Sequence, residues 1–544
     1  MGDRGWIDYD VLVIGAGFAG LHMLSELKKA GFRCRAYETG SGVGGTWFWN
    51  RYPGARCDIE SVDYCFLHDR TLHHDWVWSE RFATQPEILR YAEHFADRAG
   101  LLPLITFDTR IVAADFDTSS SVWSVRTEHG DEVRSRFLVT AVGCMSAPQT
   151  PEIPGLSRFR GERFHTARWP REPVDLAGKR VGVIGTGSSG IQVIPEIAGK
   201  AAEVVVFQRT PNFSVPAGNR PLTEAERAAE PAKYDERVTL ASTTRFGHVV
   251  PGTGQPILNT GHDDRLAVLE DRWALGGTSI VAAFTDTGRD LRANALLADF
   301  VRDKIRATVT DPETAERLVP KGYPIGTKRL CVSDGYFAAF NQDHVRLVDL
   351  RTEPIEEITA DGVRTTGDTF PLDVLVFATG FDAFTGALTR MNITGRDGVS
   401  LAEQWEKGPK TYLGLAMAGF PNLFTITGPG STTVLSNVLR AIEHHVGWIR
   451  DLLLTLRSTD RLVAEAEPAA QEDWAAQVAA AANRTLYHHA DSYYLGANID
   501  GKARVFMPYA GGLDVYRRIC DSVASEGYRG FTLSRETLPG PGTR

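Results

Sequence analysis

Three observations predict an α/β protein built from two Rossmann-like dinucleotide-binding domains with a helical insert. The runs VLVIGAGFAG at 11–20 and VGVIGTGSSG at 181–190 each set an apolar strand against a GxGxxG turn. Each is followed by a helix-length stretch and a second apolar run, which is the alternation of a parallel sheet. Beyond the second unit lies a polar stretch, roughly 217–326, where Leu297, Val301, Ile305 and Val309 recur at helical spacing around 291–309.

At 544 residues the chain exceeds one core, and about two to four domains are expected. The hydrophobic share of 43% and charged share of 23% are those of a globular protein. A net charge of -9 argues against nucleic acid or an anionic membrane surface as the main partner. No signal peptide and no membrane-length apolar run is seen, so a cytoplasmic protein is expected. Six cysteines lie scattered without a CxxC pair, as reduced thiols would.

In the first unit Gly15 allows the tight turn, Gly17 lets backbone approach a pyrophosphate, and Gly20 lets helix and strand pack. The helix N-terminus beyond them offers N–H groups to phosphate. Glu38 ends the next strand, 18 residues after Gly20, where a carboxylate accepts hydrogen bonds from a ribose diol. The loop GGTWFWNRYPGARCD at 44–58 follows, its aromatic rings suited to walling a flat ligand. It ends in Asp58, a carboxylate that is costly to bury without a cation.

The second unit repeats the turn with Gly185, Gly187 and Gly190, but ends in Gln208, Arg209 and Thr210. An arginine there holds a 2′-phosphate that a carboxylate would repel, which selects NADPH over NADH. Two different dinucleotides on one chain point to a flavoprotein reduced by NADPH. The run FLVTAVG at 137–143 reads as the last strand of the first unit, and PLDVLVFATG at 371–380 as the return strand of the second. The expected division is 1–145 with 381–544 for FAD, 146–216 with 327–380 for NADP, and 217–326 as the insert. Helical patterns near 437–456 and 469–483 complete the flavin domain, and a flexible tail is expected at 537–544.

The stretch FRGERFHTARWP at 159–170 has neither strand alternation nor helical spacing. It resembles the signature F-x-G-x-x-x-H-x-x-x-W-P of the flavin-dependent (type I) Baeyer–Villiger monooxygenases, matched by Phe159, Gly161, His165, Trp169 and Pro170. A second signature is matched by Gly44, Gly45, Trp47, Tyr52, Pro53, Gly54 and Asp58. The likeness continues through GTKRL at 326–330, FATGFD at 377–382, GPGSTTVLSN at 428–437 and GANIDGK at 496–502.

This resemblance implies the reaction. NADPH reduces FAD, O₂ adds to give a C4a-peroxyflavin, and the peroxide attacks a ketone that rearranges to an ester or lactone. It assigns Arg329 as the catalytic cation and Asp58 as the acid that orients it. Arg209 and Lys328 would share the 2′-phosphate of NADP(H). Gly185, Thr186, Gly187, Ser188, Ser189, Gly190, Ile191, Gln192 and Thr210 would contact the remainder. Thr46, Trp47 and Tyr64 match flavin-contacting positions, and Phe18 and Val112 are placed with them. His165 is read as a hydrogen-bonded linker residue in preference to a general base.

Two positions depart from the family pattern. Tyr493 stands where a tryptophan usually touches the nicotinamide cofactor, and Arg171 replaces the usual acid after Trp-Pro. The expected substrate is a cyclic or bulky ketone, with Phe381 to Phe384 and Ser431 to Leu435 as candidate pocket wall. The alternative is a nitrogen- or sulfur-oxidising flavin monooxygenase. A disulfide reductase is disfavoured because Cys57 and Cys65 are badly spaced for a redox pair, and a non-catalytic nucleotide sensor because both signatures are complete. The paired histidines at 73–74, 444–445 and 488–489 lack partners at metal-ligand spacing, so no metal is expected.

Overall fold

A computed structural model describes residues 6–535; the tail expected at 537–544 lies outside the described residues. Strand β1 (Tyr9–Ile14) runs into the first glycine turn and helix α1 (Phe18–Lys29), and the chain returns as β2 (Cys34–Tyr37) parallel to β1. Short β3 (Ile105–Thr106) pairs with β2, and β4 (Ile111–Asp117), β5 (Val122–Thr127) and β6 (Glu132–Thr140) form an antiparallel meander. The last half of β6 lies parallel to β1, with Val11 opposite Phe137, because both strands are apolar on both faces. The strand expected at 137–143 is thus the end of β6. It stops at Thr140 because the backbone turns out of the sheet, reaching φ +71° at Gly143.

The chain then crosses to a second sheet through β7 (Glu162–His165), β8 (Arg180–Ile184), α2 (Ser188–Ala198) and β9 (Glu203–Gln208). The insert carries α3 (Leu291–Thr308), whose Leu297, Val301 and Ile305 are buried. Burial of such side chains stabilises by about 1.5–3 kcal/mol each. Strands β10 (Val345–Asp349) and β11 (Val374–Phe377) complete an all-parallel sheet of order β10-β9-β8-β11-β7. Strand β7 comes from the 159–170 stretch. As an edge strand paired only with β11 it needs no alternating apolar pattern, which is why sequence periodicity does not reveal it.

Returning to the first sheet, β12 (Asn392–Thr394) joins β4 and β13 (Leu423–Thr425) joins β6. Helix α4 (Val438–Ser458) then packs along α1, and α5 (Pro468–Asn483) follows. Insert residues divide between two cores. Tyr234 and Ala241 pack with the first sheet, whereas Ile257, Leu269 and α3 pack with the second. The outgoing and returning crossovers are bonded antiparallel. Phe384 N donates to Cys144 O (2.7 Å), Asp382 N to Ala147 O (2.9 Å) and Gln149 N to Gly380 O (2.9 Å).

Candidate active site

The first glycine turn is shaped by close contact. A methyl on Gly20 would lie 1.9 Å from Gly15 O, and Gly15 itself has φ +104°. Gly17 faces the loop of the second family signature, where its Cβ would meet Gly45 Cα at 3.3 Å. Glu38 is buried and accepts from Ala16 N and Gly40 N, both at 2.8 Å, one on each carboxylate oxygen. Burial pushes its pKa up against those two bonds. A carboxylate has about four lone-pair sites, so Glu38 retains acceptor capacity for a ribose hydroxyl. Trp47 Nε1 donates to Tyr64 OH (3.1 Å), and Phe18 meets the Tyr64 ring edge-on at 6.1 Å. Thr46 is exposed just ahead of them, and Val112 is half-buried on β4.

The second turn has the same backbone logic and a different setting. A methyl on Gly190 would meet Gly185 O at 2.3 Å, but nothing lies within 4 Å of one on Gly187. Neither α1 nor α2 has a side-chain N-cap, so their first-turn N–H groups are left for phosphate. Gly187 and Ser188 are exposed, Ser189 and Thr210 half-buried and Ile191 buried beneath them; Thr186 Oγ1 donates to Thr210 O at 3.0 Å. Arg209 is exposed and makes no ion pair among the described residues. Lys328 lies over the Tyr323 ring at 4.8 Å; burial lowers its pKa, and repulsion from Arg209 adds to this although Asp491 opposes it. Two neighbouring cations with so little carboxylate compensation suit a 2′-phosphate.

Gln192 serves the join between the units. Its Oε1 accepts from Tyr52 OH (2.8 Å) and its Nε2 donates to Arg56 O (3.1 Å), so both amide atoms are engaged by the loop of the second signature.

That loop ends at Asp58, 271 positions before Arg329 in sequence and directly against it in space. Arg329 Nε donates to Asp58 Oδ2 (2.8 Å), Nη2 to Oδ1 (2.6 Å), and Nη1 to the carbonyl of Val434 (2.9 Å). Burial works against the charge of Arg329, yet Asp58 outweighs it and holds the guanidinium pKa well above its ordinary value. The side chains retain 29% and 24% exposure, so the cation is fixed but still faces open space. Tyr493 and Tyr494 stand near enough to feel its charge, with ring centroids 4.5 Å apart, and Tyr493 stacks on Phe384 at 6.2 Å.

His165 closes β7 at the crossover. Its Nδ1 accepts from Ala167 N (3.0 Å), leaving the proton on Nε2, which faces Gln149 O and Thr379 Oγ1, both at 3.3 Å. Gln149 belongs to the outgoing crossover and Thr379 to the returning one. Burial lowers the histidine pKa and keeps the ring neutral. Phe159 is buried beneath the second sheet, and a methyl on Gly161 would strike Asp373 O at 2.3 Å. Trp169 stacks near Phe164 at 5.2 Å, with Pro170 half-buried beside it. Arg171 lies over Phe48 at 4.6 Å and donates to Ser41 Oγ, so this departure from the pattern fastens the linker to the first unit. Burial raises the thiols of Cys57 and Cys65, the latter to about 12, so neither is a poised nucleophile.

Residues 9–216 match the family model of flavin-binding monooxygenase-like proteins. A Baeyer–Villiger monooxygenase of Pseudooceanicola batsensis is 37% identical over 97% of both chains. The chain belongs to the Baeyer–Villiger monooxygenases. The enzyme is also 40% identical to a phenazine N-monooxygenase of Lysobacter antibioticus, over 96% of this chain and 97% of that one. The solved structure of an oxidised steroid monooxygenase bound to NADP superposes with a TM-score of 0.93 at 48% identity, covering 97% and 99% of the two chains. The enzyme is an FAD- and NADPH-dependent monooxygenase, and the Glu38 cradle, uncapped helix starts and Arg209–Lys328 pair fit those cofactors. No helix among the described residues is long and apolar enough to cross a membrane.

Sequence reasoning missed three contributors: the Val434 carbonyl on Arg329, and Gln149 and Thr379 on His165. The first is backbone, invisible to a search for side-chain chemistry. The other two lie within four residues of the expected domain boundaries, 145/146 and 380/381, and Thr379 falls inside FATGFD at 377–382; those are the signals the sequence offers.

Proposed function

We propose that the enzyme oxidises a cyclic or bulky ketone to an ester or lactone, with Arg329 as the fixed cation of the reaction and Asp58 as the residue that positions it. The observation carrying this reading is the paired hydrogen bonding of Arg329 to Asp58 with the third donor on Val434 O. FAD supplies electron storage and O₂ activation after reduction by NADPH. Arg329 stays charged at any working pH and places donors where negative charge develops on the carbonyl oxygen as the ketone carbon is attacked. Because its geometry is set in advance, no reorganisation is needed at that moment. Arg209 and Lys328 bind the 2′-phosphate, and His165 holds the two crossovers in register.

The preference for a bulky substrate is supported by the 48% identity to a steroid monooxygenase. The likeness to a phenazine N-monooxygenase supports N-oxidation as a second reading. Its six free cysteines, five of them buried, fit a cytoplasmic setting. Incubation with NADPH and O₂ against cyclic ketones, steroid ketones and phenazines separates the readings by mass spectrometry. We expect an ester or lactone one oxygen heavier than a cyclic ketone. N-oxide from phenazines with every ketone returned unchanged would overturn the proposal.

A further inference from the structure

Away from the nucleotide sites, α1 carries two potential ligands one turn apart on one face, His22 and Glu26. His68 approaches them from the segment after β2, its ring 4.0 Å from that of His22. Donor atoms of the three side chains all lie within 4.8 Å of one another. His22 is 2% exposed and Glu26 8%. His22 Nδ1 and His68 Nε2 are both buried and lack any hydrogen-bond partner among the described residues. Two orphaned imidazole nitrogens facing a carboxylate are costly unless something occupies the gap.

The outer contacts are those of a ligand set. Glu443 of α4 accepts from His68 N (2.9 Å) and Leu67 N (2.6 Å), and its Oε1 lies 3.3 Å from His68 Nδ1. A proton on Nδ1 bonded to that carboxylate leaves the lone pair on Nε2, the arrangement by which a carboxylate orients a metal-binding histidine. We propose that His22, Glu26 and His68 form a transition-metal site that ties α1 to the segment carrying His68, with Glu443 of α4 behind it.

The surroundings select the ion. Glu26 also accepts from Lys29 (2.9 Å) and pairs with Arg450, while Glu443 pairs with Arg440 (2.8 Å). Two imidazoles with a single carboxylate favour Zn²⁺ or Co²⁺ over an oxygen-seeking ion such as Ca²⁺. Zinc ligands in a tetrahedral site lie about 3.3 Å apart, so the donors must close by rotation of side chains around the ion.

The test is zinc titration of chelator-treated holoenzyme by calorimetry, with Co²⁺ as a spectroscopic probe to the red of the flavin bands. We expect one ion bound per chain, an unfolding midpoint that rises with Zn²⁺, and loss of both in His22→Ala and His68→Ala. Glu443→Gln should weaken binding by about 10–100-fold, and it lies off α1 should the His22 variant lose its FAD. Absence of binding to the wild-type holoenzyme, or binding unchanged in folded variants, overturns the site.

Discussion

The two nucleotide units share one turn and differ in what surrounds it. In the first, Gly17 is packed against Gly45 and both Glu38 oxygens are engaged by backbone donors. In the second, Gly187 has open space around it, and Arg209 is an exposed cation without an ion pair among the described residues. A turn enclosed by its own chain suits a cofactor that stays. One left open, with uncompensated positive charge, suits a cofactor that arrives and departs.

That contrast is sharpest at the glycines. Gly17→Ala puts a methyl 3.3 Å from the backbone of Gly45, so we expect reduced FAD content, measured as flavin absorbance per chain. Gly187→Ala meets nothing, so the same assay should return near-normal FAD content. Equal FAD loss in both would break the comparison.

A smaller effect is expected at the phosphate pair. Hydrogen bonds to charged groups contribute about 1.5–3 kcal/mol. Replacing Arg209 and Lys328 together with alanine should therefore raise the KM for NADPH by roughly 10²–10⁴-fold, with little change for NADH. An unchanged preference would remove the 2′-phosphate from this site.

The smallest effect concerns pH. Burial lowers the pKa of His165, and burial with His444 lowers that of His445, relative to an unfolded value of about 6.5. Below that pH the unfolded chain binds more protons than the folded one, so stability is complete above it and declines as pH falls toward the folded values. Thermal unfolding from pH 7.5 down to about 5.5 should show a falling midpoint, with a shallower decline in His165→Gln. A midpoint flat across this range would mean that these rings are not held neutral.

The glycine turns, Glu38 and Arg209 were legible because local spacing alone fixes their geometry. Helix α3 was legible because Leu297, Val301 and Ile305 share one buried face. Edge strand β7 was not, since it pairs on one side only. Nor does spacing bring Asp58 to Arg329 across 271 positions, and only the family resemblance joined them. The resemblance implies that Gln192 contacts the cofactor, and spacing does not show that its amide also bridges the loop at Tyr52 and Arg56, because helix α2 is an interface as well. Local pattern gives an element; which of its faces meets a ligand and which a neighbour is settled by packing.

We expect Arg329, oriented by Asp58, to act on the oxygen-transfer step and not on cofactor reduction. The direct test is Arg329→Ala in single turnover, following flavin reduction by NADPH without O₂ and then ester formation after O₂ and a converted ketone are added. We expect reduction to persist and ester formation to fall by at least about 10²–10³-fold. Full ester yield from the variant, or loss of reduction with oxygen transfer intact, would contradict the account.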